Sequence, residues 1–235
     1  MPVGNDIVDL SDPRNRGKSR DLRFTQRVFT PSERDRIAGS ENPDREIWTL
    51  WAAKETAYKV LSKSSSALSS APGLFAVTLS LPDPPGSPSE EIGGAVACPF
   101  GRVTIRIYRT DEYVHCIGMD QETDPSEGII VQVIRLADGA GASPSMDESR
   151  LTREAAVQSL SAHLDSKAEE IAIQRIKKDR GLGPPAVYVR GEKTTVDISL
   201  SHDGSFGAFA IVAPQPSEER SSRISRISGP RSSAF

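Results

Sequence analysis

A chain of 235 residues is long enough for one sizeable domain or two half-sized ones, and a hydrophobic share of 37% leaves room for loop and tail. A formal charge of −3 gives no global attraction to nucleic acid or to an anionic membrane. The two cysteines, Cys98 and Cys116, have neither metal-type spacing nor a disulfide framework, which fits a reducing cytoplasm; no charged-then-apolar leader opens the chain and no apolar run approaches about 18 residues, so no membrane role is expected.

Residues 3–10 alternate small or apolar with polar side chains and predict a short strand, with Asp6 and Asp9 toward its end. A carboxylate at a strand end is well placed as a hard oxygen ligand, because Mg²⁺ usually takes one or two carboxylates together with substrate phosphates and water. Asp9 and Asp12 suit capping of the following turn equally well. Six cations then stand against a single acid, Asp21: Arg14, Arg16, Lys18, Arg20, Arg23 and Arg27. Such a run is a solvated face or a docking surface for an acidic partner. Thr30-Pro31-Ser32-Glu33 has the form of a capping box, which gives Glu33 a structural role.

Asn42 as cap, Pro43 at the first helical position and Asp44 and Glu46 in the first turn open the longest predicted helix. Ile47, Trp51, Tyr58 and Leu61 form an inward stripe at helical spacing, and Trp48, Ala52, Glu55 and Lys59 line the neighbouring face. Glu55 and Lys59, one turn apart, are either an ordinary surface pair or a carboxylate and an ammonium that hold a divalent cation and the phosphate it neutralises. Ser62–Gly73, with Lys63 as its one cation, and residues 82–94 read as loops. Leu74–Leu81 reads as a strand, and Arg102–Arg109 with Tyr113–Met119 as a hairpin in which His115 and Cys116 are fillers.

In the second half, Ile129–Leu136 is a strand, residues 137–148 a break and Leu151–Leu164 a helix. A strand over Ile171–Ile176 leads into a basic, Gly/Pro-rich turn, residues 177–185, and strands follow at Ala186–Arg190, Val196–Leu200 and Phe206–Ala213. His202 ends a strand before Asp203-Gly204 and is either a hydrogen-bonded turn residue or a group for proton or phosphate work. Residues 214–235 have the composition of a disordered tail.

Three stretches together resemble the 4′-phosphopantetheinyl transferase superfamily, which includes holo-acyl-carrier-protein synthase. They are Gly4-Asn5-Asp6 with Ile7-Val8-Asp9, Trp51-Ala-Ala-Lys54-Glu55-Thr-Ala-Tyr-Lys59, and Ile198-Ser199-Leu200-Ser201-His202-Asp203-Gly204. Phe29-Thr30-Pro31-Ser32-Glu33 is similar to the family's element ahead of the central helix, and the likeness spans about residues 1–213. The resemblance implies an α/β (α+β) fold, a pseudodimer of two helix-plus-small-antiparallel-sheet halves. Residues 1–120 would be the metal-binding half, 121–213 the Ser-His half and 214–235 a tail. The chain has the size of the family's long type and the motif order of its short type, so Asp6 and Glu55 would face His202 across one internal cleft.

The same resemblance implies transfer of phosphopantetheine from coenzyme A to a serine of an apo acyl or peptidyl carrier protein, with release of adenosine 3′,5′-bisphosphate. By matching position, Asp6 and Glu55 would bind Mg²⁺, Glu55 would also be the base, and Lys59 would lie on the pyrophosphate with Lys54 in support. His202 and Ser201 would contact coenzyme A near its 3′-phosphate, with Lys177, Lys178 or Arg180 as further candidates. Val8 stands where the long type has a second acid, with Asp9 as a substitute or water in its place, and Asn5 stands where the family usually has an aliphatic residue. The acidic carrier would dock on Arg14–Arg27 and the Ser62–Gly73 loop, and the chain would act as a monomer in the cytoplasm. The alternative is a non-catalytic module that binds coenzyme A or the carrier on the same fold.

Overall fold

A computed structural model describes residues 1–65, 68, 71–80, 90–120, 128–136, 144–178 and 181–213. The tail, most of the 82–94 loop and Arg180 lie outside the described residues. Strand β1 (Val3–Asp9) begins the chain, and α1 (Leu22–Val28) and α2 (Pro31–Ala38) carry it to α3 (Pro43–Ser64). The caps are those the sequence predicts. Asn42 accepts the Arg45 N–H at 3.0 Å, and Thr30 and Glu33 complete a reciprocal capping box. The basic segment after β1 is fastened to the start of α3, where Asp44 accepts the N–H groups of Gly17 and Ser19 and the Trp48 indole donates to Asn15 O at 2.7 Å.

The buried face of α3 packs on a five-stranded antiparallel sheet, ordered β1, β5 (Tyr113–Met119), β4 (Gly101–Arg109), β3 (Glu90–Cys98) and β2 (Ala76–Leu79). Two expectations are corrected here. The loop read over residues 82–94 yields to strand by Glu90, because Gly93 and Gly94 pair with Arg106 and Ile105 of β4 and do not turn the chain. The loop read from Ser62 begins later, because α3 runs on to Ser64.

The other face of β1 and β5 meets a three-stranded sheet of β10 (Asp197–Asp203), β11 (Phe206–Val212) and β6 (Ile130–Arg135). Alternation along β11 serves both sides: Phe206, Ala208, Ala210 and Val212 face the first sheet, and Phe209 and Ile211 face α4 (Pro144–Leu164). At the centre the layers therefore run α3, sheet, sheet, α4. A further small sheet joins β7 (Ile171–Lys178), β8 (Gly181–Val189) and β9 (Glu192–Lys193). Helix α4 starts ahead of the predicted Leu151, and much of the predicted 177–185 turn is hairpin, with Lys177 opposite Leu182 and Lys178 opposite Gly181.

His115 and Cys116 are buried in β5, as their strand position predicts. Burial, and after it the charge of Lys59, lower the His115 pKa to about 3, and the Asn5 amide donates to its Nε2 at 3.3 Å. Burial pushes the Cys116 thiol up to about 12. Below the ordinary histidine value near 6.5 the unfolded chain takes up a proton at His115 that the folded chain refuses. Stability is therefore expected to fall by about 2 kcal/mol between pH 7 and pH 5 on this account. Urea unfolding of His115→Gln should show a correspondingly flatter slope over that window; equal slopes would contradict the assignment.

Candidate active site

The site is built where α3 comes down on β1. Gly4 and Gly118 are paired across β1 and β5 and both lie under Thr56. A Cβ on Gly4 would stand 2.5 Å from Thr56 O and 2.7 Å from Val60 Cγ2, and one on Gly118 would stand 2.8 Å from Thr56 Cγ2. The backbone oxygen has nowhere to go, so glycine at position 4 sets how near the helix approaches. Gly4→Ala is expected to cost about 1–3 kcal/mol in urea unfolding. Gly39→Ala, where the nearest atom is Asp35 O at 3.4 Å, is the control expected to cost little.

That approach brings Asp6 on β1 to Lys59 on α3. Lys59 Nζ donates to Asp6 Oδ1 at 2.8 Å and to Asn5 O at 2.8 Å. Asp6 is only 8% exposed, and no described residue hydrogen-bonds its Oδ2. Glu55 lies within electrostatic reach of both. Burial, and then the Asp6 charge, hold the Glu55 carboxyl above the usual carboxylate range, against the pull of Lys59. No hydrogen bond from the described residues reaches the Glu55 carboxylate. Two crowded carboxylates, one without a partner, are a hard-oxygen donor pair that fits a divalent cation. Among the described residues no group of three or more His, Cys, Asp or Glu side chains gathers to hold a metal. The remaining ligands of such a cation would be phosphate and water.

The second half reaches this point through β10, whose alternate side chains cap the free edge of β1. Asp197, Ser199, Ser201 and Asp203 accept the N–H groups of Val3, Asn5, Ile7 and Asp9 at 2.7, 2.9, 3.2 and 2.9 Å. Ser201 Oγ also donates to Asp6 Oδ1 at 2.9 Å. Lys63 seals the same seam, with its ammonium on Asp197, Val3 O and Ile198 O, so it is no free loop cation.

The other candidates divide. His202, on the opposite face of β10 from Ser201, places Nδ1 3.2 Å from Glu148 Oε2 of α4 and is about one-third exposed. Lys54 turns away from the site, a correction to its supporting role on the pyrophosphate. It is fully buried, with its ammonium 2.8 Å from Glu33 and bonded to the carbonyls of Pro72 and Phe75. Lys177 stands exposed on β7, in a separate sheet from those carrying Asp6 and Ser201, and Lys178 follows it in the same strand. Val8 is in the hydrophobic core, so no acid occupies that place. Asp9 does not substitute for it: its carboxylate accepts from Ser11 N, Ser11 Oγ and Ser205 N. Burial alone would raise the Asp9 carboxyl, and these hydrogen bonds outweigh it and hold the group below its ordinary value. Asn5 is buried against His115.

No curated protein matches the chain. Residues 2–116 match the model of the 4′-phosphopantetheinyl transferase superfamily. The matched segment contains Gly4, Asp6, Glu55 and Lys59 and ends before β10, so the Ser201 and His202 stretch stands outside it. That match spans just under half of the chain and makes residues 2–116 similar to the 4′-phosphopantetheinyl transferase superfamily.

Proposed function

We propose that this protein moves phosphopantetheine from coenzyme A to a serine hydroxyl of an apo acyl or peptidyl carrier protein, with Mg²⁺ held by Asp6 and Glu55. The observation that carries the reading is the junction of Asp6, Glu55 and Lys59 within the family-matched segment. The serine oxygen bonds to the phosphorus that carries the pantetheine arm, and the bond from that phosphorus to the bridging oxygen breaks, releasing adenosine 3′,5′-bisphosphate. A bound divalent cation would supply neutralisation of the pyrophosphate charge. Glu55 takes the serine proton, the task of a positioned general base. Lys59 holds Asp6 in place and offers its ammonium to a phosphate oxygen. His202, oriented by Glu148, is the group proposed for the 3′-phosphate. The two helix-and-sheet halves act as a pseudodimer with one site per chain, as a monomer in the cytoplasm. No helix among the described residues is long and apolar enough to cross a membrane.

Calorimetry tests the site itself. Coenzyme A is expected to bind with a Mg²⁺-dependent heat that Asp6→Asn and Glu55→Gln each remove. Binding indifferent to chelator and to both substitutions would refute the assignment.

The proposed carrier surface is the exposed basic face before and on α1, where Arg20, Arg23 and Arg27 are exposed beside Leu22 at 69%. Arg14 is bonded to Asp12 and still 74% exposed, so it stays part of this face, whereas Lys63 is buried in the seam and is not offered to a partner. Complementary charge acts mainly on encounter and orientation. Arg20→Glu with Arg23→Glu is therefore expected to raise the carrier KM about tenfold or more with the coenzyme A KM unchanged. Equal changes in both constants would sink the docking proposal.

A further inference from the structure

Strand β10 meets β1 through side chains and not through a ladder of backbone bonds. Each donor on β1 is separated from its acceptor on β10 by the same 194 positions. Ser199 and Ser201 thus hold the seam in the same way, two residues apart, with one difference. Ser199 Oγ accepts the Asn5 N–H at 2.9 Å and makes no other hydrogen bond among the described residues. Ser201 Oγ accepts the Ile7 N–H at 3.2 Å and donates its proton to Asp6 Oδ1 at 2.9 Å.

We propose that Ser201 is a positioning residue for Asp6. A hydroxyl has one proton to give, and here it is given to the carboxylate, so Ser201 has no donor left for a coenzyme A phosphate. Lys59 of α3 and Ser201 of β10 hold the same oxygen, Oδ1, and Oδ2 is left for a ligand. Two donors on one oxygen stop the carboxylate from turning when the cation arrives. Groups that orient a ligating carboxylate in this manner are typically worth about 10–100-fold in metal affinity. This links the two halves: the strand outside the family-matched segment fixes the metal-side carboxylate inside it.

The inference rests on the reading of Asp6 as a metal ligand, and the test separates the two. The full chain with coenzyme A is titrated with Mn²⁺, and free Mn²⁺ is followed by electron paramagnetic resonance. Asp6→Asn and Ser201→Ala are expected to weaken Mn²⁺ binding about tenfold or more. Ser201→Thr keeps the hydroxyl and should restore binding. Ser199→Ala should bind like the wild type, although it loses the same kind of seam bond and should shift the urea midpoint to a similar degree. In turnover, Ser201→Ala should raise the Mg²⁺ concentration for half-maximal rate and leave the coenzyme A KM at saturating Mg²⁺ unmoved. If Asp6→Asn loses Mn²⁺ while Ser201→Ala binds as Ser199→Ala does, the positioning role is overturned and the metal site stands. Unchanged Mn²⁺ affinity in Asp6→Asn overturns both.

Discussion

Lys54→Met is expected to destabilise the protein by about 3–5 kcal/mol, the usual cost of breaking a buried pair from one side. Lys54 and Glu33 are 1% and 3% exposed and lie 2.8 Å apart. Lys54 also donates to Pro72 O and Phe75 O and stands over the Phe29 ring. Glu33 accepts the N–H groups of Thr30 and Val77, each at 2.8 Å, so the pair pins α2, α3 and β2 together. Burial lowers the Lys54 pKa and Glu33 opposes the shift. Methionine would leave Glu33 buried with two N–H donors and no counter-charge. The double variant with Glu33→Gln should cost clearly less than the sum of the two single changes, because it removes both charges. Urea unfolding of the four proteins measures this. A Lys54→Met cost below about 1 kcal/mol would contradict the pairing.

Glu55→Gln is expected to lower kcat by about 10²–10⁴-fold, the range for loss of a positioned general base. What makes this variant informative is the opposite sign of its effect on the fold. Glu55 has no hydrogen-bond partner among the described residues and feels the Asp6 charge, so its carboxylate is held at a cost. Glutamine keeps the shape and removes that repulsion, and the urea midpoint should stay or rise. Activity lost together with stability would point to a structural glutamate instead.

Much of the fold is legible because its punctuation is local. Asn42-Pro43 and Thr30-Pro31 with Glu33 mark two helix starts by hydrogen bonds closed within three residues. Helical spacing puts Glu55 and Lys59 on one face, and Asp6 joins them as a motif only through the family resemblance. Gly4 is read as part of that motif, and only the packed structure explains it, through Thr56 O overhead. Where the reading failed, the deciding partner is remote. Gly93-Gly94 has the composition of a turn, and pairing with β4 makes it strand. Lys54 belongs to the Trp-x-x-Lys-Glu pattern, yet its use depends on Glu33, whose second oxygen a capping box does not reveal. The alternation Asp197, Ser199, Ser201, Asp203 looks like any half-polar strand. Only the parallel run of β10 beside β1 turns it into a row of caps, one of which reaches Asp6.

Intact-protein mass is the most direct test of the transfer. An apo carrier domain is incubated with the wild-type protein, coenzyme A and Mg²⁺, beside Glu55→Gln and a carrier whose acceptor serine is alanine. The account predicts a gain of one phosphopantetheine arm with the wild type only, lost in chelator and absent from both controls. Carriers of several types that keep their apo mass while coenzyme A binds would contradict it and leave a binding module on this fold.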